Sequence, residues 1–395
     1  MSATRHIAIR HTALSRRLVA TAALTLTVVL AAASPVAAHA PDWTGRVNVR
    51  AADDVQLRDA DFSRRNVAIT WQEPGAGGPK VGLRTSVDSG ASFGPISWVN
   101  KSRQSAVDIC GGSELNAVYA KKVSSGNWRI DHAVGSIDGD GFLRTPVSLA
   151  PGVNGYPDVA CAGGRVFVSW FQRDGGGDRL KLAHGIRNDG AFETPMTLGF
   201  DDETFFGRSL AVAGTSDTAY AVFTKSSGDL RFRSWSIGSG PGFAVTPQAT
   251  RIIGPASREN SADGAVIAAA GSKVAVAWFK CGGIFARVSN DRGQTWGPVR
   301  KVLEHMACDG DFGASQRSIA IRGNRIVISY LGFGIPNVSI TGLIRTTNDF
   351  ATSTDDVITF ANRDEHLLGY VTVGGTTRLA AAFDTGDCIR FRRQE

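Results

Sequence analysis

The sequence predicts an all-β fold assembled from a repeated unit, and three observations carry that prediction. Glycine is abundant, at 46 of 395 residues, while methionine is scarce at 3, which is a turn-rich, helix-poor composition. A short β-prone hexamer ending in an aromatic recurs seven times, at Trp71, Tyr119, Trp170, Phe223, Trp278, Tyr330 and Phe383, with intervals of 48, 51, 53, 55, 52 and 53 residues. Each hexamer follows an apolar strand and a tight turn, such as Gly271-Ser272 or Gly323-Asn324, and precedes a third strand. Several short strands per unit at a period of about 50 residues is the pattern of a β-propeller, here one of seven blades.

The elements follow in chain order. Residues 1–38 carry Arg5, Arg10, Arg16 and Arg17, then an apolar run from Leu18 to Ala33, then small residues up to Ala38. That order is a secretory signal peptide, and Arg16-Arg17 also fits a twin-arginine export signal. The mature chain, residues 41–395, is expected to be a single secreted propeller domain. No other apolar stretch approaches about 18 residues, so no membrane span is expected. Setting the four N-terminal Arg aside leaves 39 basic against 36 acidic residues, too balanced for the clustered basic face of a nucleic-acid binder.

The last unit stops after its third strand, around Cys388 to Arg393, and so lacks a fourth. The segment from Trp43 to Arg50 precedes the first unit's inner strand and is the candidate to supply it, closing the ring and removing exposed edges. The seven aromatics are read as core register marks. Five cysteines, Cys110, Cys161, Cys281, Cys308 and Cys388, lie in the mature chain. Cys110 and Cys161 each close an inner strand in adjacent units, and Cys281 and Cys308 fall on loops of one face. These are the two expected disulfides. The chain has no C-x-x-C, so no metal is expected, and no cofactor.

Two turns share an eight-position pattern. Ser86, Asp88, Gly90, Ser92 and Phe93 recur as Ser289, Asp291, Gly293, Thr295 and Trp296. Degenerate copies run from Ser236 to Phe243, Ser136 to Phe142 and Asn188 to Phe192. The Asp can accept backbone N–H bonds, the Gly supplies positive φ, and the aromatic buries beneath the hairpin. The pattern resembles the Asp box, or bacterial neuraminidase repeat, of the sialidase superfamily, and in that reading these residues are structural.

The resemblance implies a polar axial pocket and a glycan ligand. Sialidases use a Tyr nucleophile activated by an acid, a separate acid/base, and Arg clamps that hold the substrate carboxylate through bidentate bonds. By position in the repeat, Tyr370 falls where the nucleophile stands, Asp263 where the activating acid stands, and Glu73 in the acid/base loop. Arg317, Arg208, Lys280 and Asp54 are the candidate substrate-binding residues. Departures are plain in the sequence. Asp54-Val55-Gln56-Leu57 replaces the family's opening Arg motif, Glu73 stands for an Asp, Lys280 for an Arg, and seven units replace six. Sialidase-type glycoside hydrolysis is therefore weighed against a non-catalytic propeller that binds a glycan or protein. A polysaccharide lyase using Tyr370, His305 or His366 as base has little support. The expected protein is a monomer.

Overall fold

The computed structural model describes Trp43 and residues 45–138, 142–148, 152–174, 177–201, 210–224, 229–240, 242–254, 263–280, 283–304, 315–335, 338–358, 366–384 and 388–394. They form strands and no helix, and no helix long and apolar enough to cross a membrane is present among them. After β1 (Val47–Ala51) come antiparallel meanders. The first is β2 (Gln56–Ser63), β3 (Asn66–Glu73), β4 (Lys80–Ser86) and β5 (Ser97–Asn100). Next are β6 (Ser102–Cys110), β7 (Glu114–Ser124), β8 (Asn127–Ser136) and β9 (Leu143–Pro146), then β10 (Val153–Ala162), β11 (Arg165–Asp174), β12 (Gly177–Ile186) and β13 (Met196–Asp201). They are followed by β14 (Leu210–Gly214), β15 (Thr218–Thr224), β16 (Leu230–Ile237), β17 (Val245–Pro247) and β18 (Arg251–Gly254), then β19 (Asp263–Ala270), β20 (Lys273–Lys280), β21 (Gly283–Ser289) and β22 (Arg300–Glu304). The chain ends with β23 (Ser315–Arg322), β24 (Arg325–Ile335), β25 (Val338–Thr346) and β26 (Thr354–Ile358), then β27 (His366–Val373), β28 (Thr376–Asp384) and β29 (Cys388–Arg393).

This is an all-β propeller. Its hydrogen-bonded sheets number six among the described residues, not the seven separate blades the repeat predicts. The difference has a local cause: Val153 of β10 bridges in parallel to Trp128 of β8, joining two meanders into one eight-stranded sheet. β1 pairs antiparallel with β29, Val47 opposite Phe391 and Ala51 opposite Cys388. The first strands of the meanders, β2, β6, β10, β14, β19, β23 and β27, each pack against the next, and β27 packs against β2.

All seven marker aromatics are buried, from Trp71 at 0% exposure to Tyr330 at 5%. Each contributes about 2–3 kcal/mol by burial. Trp71 and Tyr330 lie across glycines on the neighbouring strand, Gly82 and Gly342, where an added Cβ would fall 2.4 and 2.1 Å from the rings.

The two Asp-box turns are built alike. Ser86 Oγ donates to Asp88 Oδ1 at 2.7 Å and accepts the Gly90 N–H at 2.9 Å, while Asp88 Oδ1 accepts the Ser92 N–H at 2.9 Å. Ser289, Asp291, Gly293 and Thr295 repeat this at 2.7, 2.8 and 2.8 Å. Hydrogen bonds from Thr295 and Ser289 hold the Asp291 carboxyl down at about 2. A third turn of this kind escapes the sequence pattern. Thr346 Oγ1 accepts the N–H groups of Asn348 and Phe350, and Asn348 Oδ1 accepts that of Thr352 at 3.0 Å.

Phe350 there takes the glycine position, and its neighbour explains how. Gly90 abuts the ring of Phe391, and Gly293 abuts the ring of Phe232, with a Cβ placed 2.0 and 2.3 Å away. Phe391 and Phe232 sit opposite the residue preceding a marker aromatic, Ala382 and Val222. The same register place in β21 is Ala286, opposite Ala277, and Ala286 and Phe350 belong to one buried cluster. A large ring against glycine in two seams is replaced by a small residue against a large ring in the third. Phe350→Gly alone is expected to cost about 3 kcal/mol through the cavity it leaves, and Ala286→Phe alone about 1–3 kcal/mol by overpacking. The double variant recovers part of that loss, which urea unfolding of the four chains measures. Strictly additive losses would refute the exchange.

Candidate functional site

Five first strands carry a β-bulge at or beside the place facing the marker aromatic. The register slips at Arg58 in β2, Gln104 in β6, Tyr156-Pro157 in β10, Gly264-Ala265 in β19 and Arg317 in β23. Arg58 and Arg317 hold equivalent places, each following the residue opposite the aromatic, Leu57 opposite Trp71 and Gln316 opposite Tyr330. A bulge adds one residue to a strand and re-aims its side chain, which is why bulges gather at binding sites. Here they recur at the entry ends of the first strands.

Two of these entries, those of β6 and β10, are fastened in series to β3. Gln72 Oε1 accepts the Gln104 N–H at 3.1 Å, and Gln104 Oε1 accepts the Tyr156 N–H at 3.0 Å. Gly155 permits that approach, since a Cβ there would lie 2.6 Å from Gln104 Oε1. Gln104 and Tyr156 are held at φ of 47° and 49°, a left-handed conformation costing about 1–3 kcal/mol each for such residues. The result is a presented aromatic: Tyr156 is 41% exposed, with its ring edge-on to Phe171. Beside it the Arg103 guanidinium lies 4.1 Å from the centre of the Trp128 ring. Burial lowers the Arg103 pKa, Tyr156 works against that shift, and the neighbouring positive charge of Arg58 adds to it. Among the described residues Arg103 Nε has no hydrogen-bond partner.

Farther along the same strands lies a cavity of about 950 Å³, lined by the first strands and by turns that follow them. Its walls carry Asp59, Asp61, Asp108 and Asp158, and these carboxylates join neighbouring strands in two tiers. The N–H groups on the inner edge of each sheet need acceptors. Asp59 Oδ2 accepts the Val107 N–H at 2.7 Å, Asp158 Oδ2 that of Val212 at 2.8 Å, and Ser318 Oγ that of Leu368 at 3.1 Å. One tier on, Asp61 Oδ2 accepts the Ile109 N–H at 2.8 Å, and Asp108 Oδ2 accepts that of Cys161 at 2.5 Å. Burial raises all four pKa values, that of Asp158 to about 6. Repulsion from Asp158 adds to the rise at Asp59, and repulsion from Asp61 adds to it at Asp108. Of these carboxylates only Asp158 is legible from the repeat as a pocket-face residue.

The Cys110–Cys161 disulfide forms beside this tier, with Cα atoms 5.7 Å apart. The two cysteines are one register place out of step, Cys110 opposite Glu114 and Cys161 opposite Val166, rather than matched as the sequence suggests. Cys281 and Cys308 lie outside the described residues.

Tyr370 sits in regular register opposite Leu379, not at a bulge, and packs against the apolar cluster of Leu343, Leu368 and Leu379. Burial raises its pKa, and the charges acting on it are Arg325, Arg345 and Arg322, with no acid among them. Tyr370 was expected at the entry end because it was placed by order along the chain, whereas the strand register carries it toward the following turn. Glu73 is 5% exposed and accepts from Arg50 Nε at 2.9 Å, Lys80 Nζ at 2.8 Å and Trp71 Nε1 at 3.2 Å. Burial alone would raise its pKa, but these donors outweigh it and hold it low, the opposite of what a general acid needs. Asp54 is an exposed turn residue at φ 58°. Asp263 begins β19 opposite Phe279, Lys280 ends β20 opposite Gly283, and Arg317 occupies the β23 bulge; their side chains are outside the described set. Arg208 lies outside it altogether.

No protein-family model matches the chain, and no curated protein does. Solved structures do. An ulvan lyase from a new family of polysaccharide lyase, bound to -[GlcA(1-4)Rha3S]-, superposes with a TM-score of 0.56 at 10% identity, covering 88% of this chain and 95% of that one. The polysaccharide lyase Uly1 superposes at 0.52 and 10% identity, covering 89% and 99%. A Trypanosoma rangeli sialidase in complex with the inhibitor DANA gives 0.41 at 14%, covering 76% and 56%. What the chain shares with the two lyases is the β-propeller fold.

Proposed function

We propose that this chain is an exported, monomeric β-propeller that holds an acidic polysaccharide across the entry ends of its first strands. The observation that carries the reading is Tyr156, an exposed aromatic kept in a strained left-handed bulge near Arg103, whose charge Arg58 also feels. An aromatic face packs on a sugar ring. Guanidinium forks donate bidentately to carboxylate or sulfate oxygens. The Gln72–Gln104 staples pre-organise the surface and so reduce the entropy lost on binding. The lyase bound to -[GlcA(1-4)Rha3S]- supplies the analogy for a glycan ligand.

The eight-stranded sheet counts in this reading as two blades, giving seven, and β1 serves as the last blade's fourth strand, closing the ring. Export through residues 1–38 accords with a disulfide at Cys110–Cys161. Sialidase-type hydrolysis is the weaker reading. The Asp-box turns and the Arg317 bulge favour it, while Tyr370 in its apolar seam and Glu73 in its ion pairs do not. A binding propeller needs neither.

Affinity electrophoresis of the mature protein tests the proposal. Gels containing a uronate- and sulfate-bearing polysaccharide are expected to retard it, and a neutral glucan is not. Arg103→Ala is expected to weaken retardation more than tenfold and Tyr156→Ala about tenfold, on the scale of a lost charged hydrogen bond and a lost stacking contact. Equal retardation by the neutral glucan, or none by the acidic polymer, would overturn the reading. Release of sialic acid from a fluorogenic sialoside that survives Tyr156→Ala but not Tyr370→Phe would favour the hydrolase instead.

A further inference from the structure

The four cavity carboxyls have no part in the proposed binding surface, and their arrangement requires explanation. Asp61 and Asp108 occupy equivalent register places in adjacent meanders, opposite Ala68 and Asn116 respectively, each three residues before a marker aromatic. Each accepts an N–H from the next first strand, Ile109 for Asp61 and Cys161 for Asp108. Asp61 thereby reaches the residue that follows Asp108, so the two carboxyls are neighbours, and each acts on the other's titration. Neighbouring carboxyls can join only through a shared proton, because an ionised carboxylate only accepts. Such a proton would tie β2 to β6 at the point where β6 is tied to β10.

Among the described residues of the cavity wall, no cation stands in for that proton. The charged side chains facing it are Asp59 and Asp61 from β2, Asp108 from β6, Asp158 from β10, and Arg187 and Asp217 near the turns. Arg187 is engaged by Glu114 at 3.0 Å and Asp217 by Arg292 at 2.8 Å. Among the described residues, those that β14, β19, β23 and β27 contribute to the wall are uncharged, Ser318 included.

We propose that Asp61 and Asp108 form a proton-sharing latch between the first strands β2, β6 and β10, fastest in acid and released as the pair ionises. The sign follows from linkage. A carboxyl whose folded pKa is raised holds its proton after the unfolded chain has lost one, so stability falls as pH rises from the unfolded value, about 4, through the folded one. Asp158 contributes over the window from about 4 to about 6, and Asp59, Asp61 and Asp108, also raised by burial, add to the fall. The strands so held present Arg58, Arg103 and Tyr156 at their other ends.

Urea unfolding between pH 4 and pH 8 tests the latch on the mature chain and on Asp108→Asn. The amide keeps an oxygen for the Cys161 N–H and offers its own N–H to Asp61, so it imitates the protonated pair permanently. The unaltered protein is expected to lose stability with rising pH, its unfolding constant growing about tenfold per pH unit for each proton released. Asp108→Asn is expected to show a slope smaller by about one proton and to outlast the parent at pH 8. An unchanged slope would overturn the proposal. Should Asp108→Asn not fold, infrared spectroscopy of the unaltered protein decides. A protonated-carboxyl band in the folded state at pH 7, lost on unfolding, supports the latch, and absence of that band overturns it.

Discussion

Gly293→Ala is expected to remove a large share of the stability of the fold. Gly293 sits at φ 80°, and a Cβ would lie 2.3 Å from the ring of Phe232. The ring cannot retreat, being fully buried among Tyr220, Leu230 and Trp278 and held edge-on by Trp296 at 4.9 Å. Overpacking of about 1–3 kcal/mol adds to a left-handed backbone cost of about 1–2 kcal/mol. A loss of about 2–5 kcal/mol is large against the 5–15 kcal/mol or so that holds a typical domain. Gly271→Ala is the matched control, since its φ of 60° is similar but nothing lies within 4 Å of the added atom. It should cost only about 1 kcal/mol. Urea midpoints of the two variants separate steric from backbone cost, and equal losses would show that the ring contact contributes nothing.

Breaking the Cys110–Cys161 bond is the second large effect. The cross-link closes a loop of 51 residues, for which chain entropy gives about 4 kcal/mol. It also joins β6 to β10 next to the Asp108 bond to the Cys161 N–H, so its loss should loosen that pair of strands first. The unaltered protein is expected to melt at markedly lower temperature in reductant, and the Cys110→Ser/Cys161→Ser chain to melt low with or without it. A reductant effect of equal size on both chains would place the stabilising bond elsewhere.

The features legible in the sequence are those that repeat or that have a local signature. The marker aromatics are visible because every blade needs a large ring at one register place. The Ser86 and Ser289 boxes are visible because the turn satisfies its own N–H groups within a few residues. The turn at Thr346 was missed because the written pattern asks for Asp and Gly, whereas the physics asks only for an acceptor and a side chain that fits the facing seam; Asn348 and Phe350 meet both demands beside Ala286. Asp59, Asp61 and Asp108 were missed for a different reason. Each serves an N–H 48 to 53 residues away, and no window along the chain relates the two. The bulges carry no signature at all, since Arg58 and Gln104 look like any polar strand residue, so Tyr156 could not be told from a loop aromatic. The Cys110–Cys161 pair was readable from strand order, although its register was one residue out.

The exchange of ring and glycine between seams makes the blades keyed parts. Each key concerns only a sheet and the one packed before it. Transposing the β19–β22 and β23–β26 sheets would break the match. Phe350 would then meet Phe232, two rings in a space shaped for one. Order among the sheets is thus written into side-chain volumes at the seams, and a row of similar sheets acquires a preferred sequence of neighbours.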